Sequence, residues 1–173
     1  SFEYIKKKYK KKNIKIFNFG IGNSQKKVFL YTPTIYNYEF SGLSATDLTN
    51  LKIRLKFFFK VLKNDFKYIK ETIKIKKLDK LNLKPDLIKI DAEGSELDIL
   101  KSSIKTIKKY QPLLIIEFNQ INFNEIKKIL SQIGYKSYIF QNNIFSPIDK
   151  KMIKKIEERD NLTNIVYTSK KFC

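Results

Sequence analysis

The sequence predicts an α/β fold built on a parallel sheet, and three observations carry that prediction. Leu87–Ile90 and Leu113–Ile116 are short apolar runs of the kind buried in parallel sheets, and each ends in an acid, Asp91 and Glu117. Between them, Ser95–Ile107 reads as one helix with Leu97, Leu100, Ile104 and Ile107 along one face. The alternation then continues through a helix and two further strands, and strand-helix-strand order implies crossovers onto one sheet. The chain has 173 residues, 42% of them hydrophobic, enough for one buried core. No repeat or linker interrupts it, so residues 1–173 read as a single domain.

The elements follow in order. Phe2, Ile5 and Tyr9 fall at helical spacing, and Asn13 ends that helix. Ile14–Phe19 reads as a strand, Gly20, Gly22 and Asn23 as a turn, and Lys27–Tyr31 as a second strand closed by Pro33. Tyr36–Asn50 reads as an irregular loop containing Ser41-Gly42-Leu43-Ser44. Leu51–Leu62 fits both periods; its length and lysines favour a helix whose apolar stripe packs in the core, ahead of a basic amphipathic segment on anionic lipid. Phe66–Ile75 reads as a strand and Leu78–Leu81 as a helical turn. After the central strands come a helix over Asn124–Ile133 stopped by Gly134, then strands at Tyr135–Phe140 and Thr163–Tyr167. Asn142–Asn143 and a polar helical stretch separate those last two.

Composition narrows the chemistry. Histidine is absent and the single cysteine is Cys173, which excludes Ser-His and Cys-His nucleophile pairs, an internal disulfide and cysteine-based metal cages. No apolar run approaches the ~20 residues of a membrane span, so no transmembrane segment is expected. With no signal-peptide pattern around Lys6–Lys12, the expected location is cytoplasmic. Thirty-six Lys and Arg against 17 Asp and Glu give +19, yet Arg54 and Arg159 are the only arginines. Base readout and bidentate phosphate clamps favour Arg. Together with abundant Ile, Asn, Phe and Tyr, this lysine excess matches AT-rich coding, so a solvated lysine surface is read ahead of a specific nucleic-acid partner.

Acids are scarce, yet Asp91, Glu93 and Glu96 crowd into six positions at the end of a buried strand, where open α/β sheets bind ligands. Helix-start preference, with Ser95 and Asp98 resembling a capping box, accounts for Ser95, Glu96 and Asp98. It accounts poorly for Asp91 and Glu93, which precede the cap. If the two central strands are neighbours, Asp91, Glu93 and Glu117 converge on one cleft. Such a group can take a proton from a hydroxyl or hold a hard divalent metal.

Thr72–Leu100, TIKIKKLDKLNLKPDLIKIDAEGSELDIL, resembles the core motif of the FkbM-type methyltransferase family, with Ala92 where Val or Ile is common. Lys101-Ser102-Ser103 and Gln111-Pro112 through Glu117 continue the likeness, and Asn18–Asn23 and Ser41–Ser44 extend it upstream. The resemblance implies a Rossmann-like, class I methyltransferase using S-adenosylmethionine, most often for O-methylation of a sugar, glycan or secondary-metabolite hydroxyl. It implies Asp91, Gly20 and Ile21 on the cofactor side and Glu93, Glu96 and Ser44 on the acceptor side; the converging strand ends add Glu117, so Glu93 and Glu117 are the candidate catalytic carboxylates. A small-molecule or glycan acceptor follows, with a divalent metal as an option. The family's first two strands and Gly-rich loop have no counterpart among these residues, so the expectation is an N-terminally truncated sheet that binds cofactor weakly alone. A lysine-rich binding module for nucleic acid or another anionic surface is the alternative. It requires a continuous lysine face free of acids.

Overall fold

A computed structural model describes residues 2–9, 13–36, 38–58, 66–141, 143–149, 152–154, 156 and 164–170. The chain divides into two compact units, Ser1–Lys76 and Lys77–Cys173.

The first unit opens with helix α1 (Phe2–Lys8) and carries a four-stranded sheet in the order β1-β4-β2-β3. Its strands are β1 (Gly20–Ile21), β2 (Lys27–Ile35), β3 (Tyr38–Glu39) and β4 (Lys67–Lys76). The expected strand over Ile14–Phe19 is absent. Pairing starts only at Gly20, which lies beside Ile75 near the end of β4. Gly20 is therefore strand, not turn.

Pro33 does not close β2, which runs on to Ile35. Tyr31 N–H bonds to Ala45, away from β4, and Pro33 faces the same way two residues on; its missing N–H therefore costs no β2–β4 bond, and its carbonyl accepts from Phe40 N–H.

Helix α2 (Leu48–Phe58) starts inside the expected loop because Asp47 caps it. The Asp47 carboxylate accepts from the N–H groups of Thr49 and Asn50 at 2.9 and 3.1 Å. Leu51 and Leu55, one turn apart, are buried, as expected for that part of the core-packed stripe; the Phe58 side chain lies outside what is described. The end of the expected helix, at Leu62, lies outside the described residues.

The second unit holds a five-stranded sheet in the order β5-β6-β9-β7-β8, from β5 (Leu87–Ile90), β6 (Leu113–Glu117), β7 (Lys136–Gln141), β8 (Ile144–Pro147) and β9 (Asn164–Thr168). β5 and β6 are neighbours and parallel, as expected. The sheet as a whole is mixed, because β9 runs antiparallel to β6 and β7, and β8 folds back on β7. Strand β8 was not anticipated. Asn143 takes φ +62 in the tight connection from Gln141 to Ile144, which a hairpin of this kind requires. Asn142 and Thr163 lie outside the described residues.

The expected Ser95–Ile107 helix is two helices, α3 (Glu96–Lys101) and α4 (Ile104–Tyr110). Both Ser102 and Ser103 hydroxyls donate to Ile99 carbonyl at 2.7 Å, a local bond that competes with the helix ladder. The break is stabilised from a distance. Asp79, in the turn Leu78–Lys80, accepts from Thr106 and Lys105 N–H at 2.8 and 3.2 Å, and its own N–H donates to Ser102 carbonyl. Helix α5 (Phe123–Ser131) buries Phe123, Ile126 and Leu130 at i, i+3, i+7, and Gly134 at φ +87 stops the segment. With Ile90, Leu100, Ile107, Leu114, Ile116, Ile165 and Tyr167 they form the core that holds the ends of β5 and β6.

Candidate active site

The site is built on the C-terminal ends of β5 and β6. Ile90 stands beside Ile116 in parallel register, so Asp91 and Glu117 are the next residues out on neighbouring strands, about 5 Å apart along the sheet. Asp91 is exposed and ion-paired to Lys89 at 2.5 Å.

The chain then reverses through Ala92–Ser95, with Ser95 N–H donating to Ala92 carbonyl at 3.1 Å. Glu93 and Gly94 take φ +51 and +99 in succession. Glycine adopts that conformation freely, whereas a glutamate does so at a cost, and such strain collects at functional sites.

Glu96 holds the turn together. It is fully buried, at 0% exposure, and its Oε1 accepts from Gly94 N–H at 2.9 Å and Ala92 N–H at 3.2 Å. Ser95 makes no side-chain cap bond, so the capping-box reading is corrected: the buried Glu96 carboxylate instead reaches back to the N–H groups of the preceding turn. Glu96 Oε2 is buried without a hydrogen-bond partner. Glu96 thus has a structural task beneath the turn.

Glu117 is half-buried, and its carboxyl is pushed up to about 7. Burial is the largest cause; the negative charges of Asp91, Glu93 and Glu96 follow, and Lys89 opposes them. The four carboxylates named from the sequence therefore act on one another electrostatically. Among the described residues, no three acidic side chains form a group that would hold a metal ion.

Two residues that sequence reasoning missed border the turn. Asn122 Nδ2 donates to Gly94 carbonyl at 3.4 Å, and Asn119 lies 3.9 Å from where a Gly94 Cβ would stand. The asparagines that crowd Asn119–Asn124, directly after the second acidic strand end, are the signal that could have found them.

The remaining site residues belong to the first unit. A Cβ on Gly20 would meet Ile75 Cδ1 at 2.7 Å, so Gly20 packs closely against the side chains of β4. Ile21 pairs with Lys76, and Ser44 Oγ shares a 2.8 Å hydrogen bond with Thr32 Oγ1.

No curated protein gives a significant match to the chain. A solved structure, the methyltransferase FkbM from Methylobacillus flagellatus KT, is similar in fold with a TM-score of 0.51 at 16% identity. The match covers 96% of this chain and 32% of that one, so the chain spans about a third of its length. The model of the methyltransferase FkbM domain matches residues 1–137, a span that takes in β5, the Asp91–Glu96 turn and β6 with Glu117. The chain thus belongs to the FkbM methyltransferase family.

Proposed function

We propose that this region forms the acceptor side of an S-adenosylmethionine-dependent O-methyltransferase acting on a hydroxyl of a sugar, glycan or secondary metabolite. The observation that carries the reading is Glu117: a half-buried carboxyl at a strand end, titrating near neutral pH among three other acids. A general base is most effective with its pKa near the working pH.

The donor set suits a cation at the Asp91 end. When bound, the cofactor supplies a methyl group on a positively charged sulfur. In this reading Asp91 would hold the cationic side of the cofactor, and Glu117 would accept the proton of the acceptor hydroxyl. Glu93, held in its left-handed turn, orients the acceptor and is the second candidate for the base. Glu96 keeps the turn in shape. Gly20 and Ile21 carry no step in this reading. The single-domain reading of residues 1–173 and a cytoplasmic location belong to the same proposal; among the described residues no helix is long and apolar enough to cross a membrane.

The test uses a full-length protein carrying this region. Glu117→Gln is expected to lower turnover by about 100-fold or more with cofactor affinity nearly unchanged, and Asp91→Asn to weaken cofactor affinity. Near-full activity in Glu117→Gln moves the base to Glu93, which Glu93→Gln then tests. A chelator added to the wild-type enzyme separates proton removal from metal assistance.

A further inference from the structure

The first unit carries a lysine-rich face on β2 and β4. In the β2–β4 ladder Lys27 stands directly opposite Lys74. Strand alternation puts Lys70 and Lys76 on the same face, together with Phe29 and Tyr31, and sends Glu71, the acid of β4, to the other face. Lys70 Nζ sits 3.7 Å from the Phe29 ring centre and Lys76 Nζ 4.4 Å from that of Phe19, so aromatic faces hold these ammonium groups in place. Like charges directly opposite one another destabilise a ladder. Lys26, Lys27, Lys70, Lys74 and Lys76 are all exposed, and none forms an ion pair among the described residues. Where β2 begins and β4 ends, a groove of about 360 Å³ is lined by Gln25, Lys26, Lys27, Lys74, Ile75 and Lys76. It has the volume of a small-ligand site, four lysines and no acid.

We propose that this groove binds the diphosphate group of a small phosphorylated ligand. Lys27 at the start of β2, Lys26 just before it, and Lys74 and Lys76 on β4, about 5 Å away across the ladder, match several negative charges in a row better than a single one. Lysine also serves as a point-charge partner for phosphate without the planar fork of arginine. The bound anion offsets the Lys27–Lys74 repulsion, which the free fold leaves uncompensated.

The test is calorimetric titration of the chain with inorganic pyrophosphate near 150 mM salt, where exposed charges are strongly screened. Lys27→Gln/Lys74→Gln is expected to weaken binding about tenfold or more, while Lys105→Gln/Lys108→Gln/Lys109→Gln on α4 changes it less than about twofold. The double variant should melt no lower than wild type, since it removes a repelling pair, and this separates lost binding from lost folding. Equal weakening by the α4 variant assigns the effect to general lysine charge and overturns the proposal, as does absence of binding. A single-stranded oligonucleotide that binds more tightly than pyrophosphate and depends on the same two lysines also overturns it, in favour of a nucleic-acid face.

Discussion

At the scale of single residues, one position can carry several tasks, and charge decides which dominates. Glu117 in the folded protein keeps its proton up to about pH 7, against an ordinary carboxyl value of 4.5. The folded state therefore binds more protons than the unfolded chain between those values, and stability falls as pH rises through that window. Glu117→Gln removes the penalty. Thermal melts should show it raising Tm by about 2–4 °C near pH 8 and not near pH 4, a modest gain because water screens part of the repulsion. A gain of equal size at both pH values would mean that shape, not charge, is responsible. Glu96 behaves in the opposite way. Its buried Oε1 satisfies two backbone N–H groups, so Glu96→Ala should cost about 2 kcal/mol in denaturant unfolding by leaving those donors unpaired. A cost near zero would show that the turn holds without it.

At the scale of elements, the broken helix between β5 and β6 shows how distant residues set local structure. Ser102 and Ser103 draw back onto Ile99, and Asp79, more than 20 residues upstream, receives the freed N–H groups at the start of α4. Asp79→Ala is expected to destabilise the protein by about 1 kcal/mol, the usual worth of a capping carboxylate. Asp79→Asn, which keeps an acceptor oxygen, should recover part of that loss. Urea unfolding of the two variants, compared at equal slope, checks the prediction. The Asp79 turn lies within the stretch that resembles the family motif, and its contacts give that part of the motif a structural reason.

At the scale of the whole molecule, net charge governs association more than fold. A +19 chain whose cations are nearly all lysine should bind unrelated DNA and RNA sequences alike, with affinity falling steeply between low and physiological salt. Filter binding or fluorescence titration against several sequences tests this, and a hundredfold preference for one sequence at about physiological salt would contradict it. The lysine face on β2 and β4 is the place where the alternative binding reading keeps a footing, since Glu71 is turned away from it. The carboxylates at the ends of β5 and β6 support the enzyme reading, so each unit carries charge of a different sign at the feature that distinguishes it.

The sequence by itself determined the paired strands β5 and β6, the helices packed on them and the acids at their ends, because short apolar runs and 3.6-residue stripes are local patterns. Family membership was legible in the same segment, and the match over residues 1–137 bears it out. Tertiary structure alone decided the direction of β9 and the hairpin of β8, because strand partners are chosen by non-local contacts that periodicity does not encode. It also decided the extension of β2 through Pro33, which depends on which side of the ladder lacks a bonding partner. The division of labour among the acids was equally non-local. Glu96 and Glu117 look alike as letters; one is sealed beneath a turn and holds backbone N–H groups, and the other stands half-buried where burial first, and neighbouring negative charges second, keep its proton in place. Desolvation and Coulomb repulsion act through space, and the distances that set them exist only once the chain has folded.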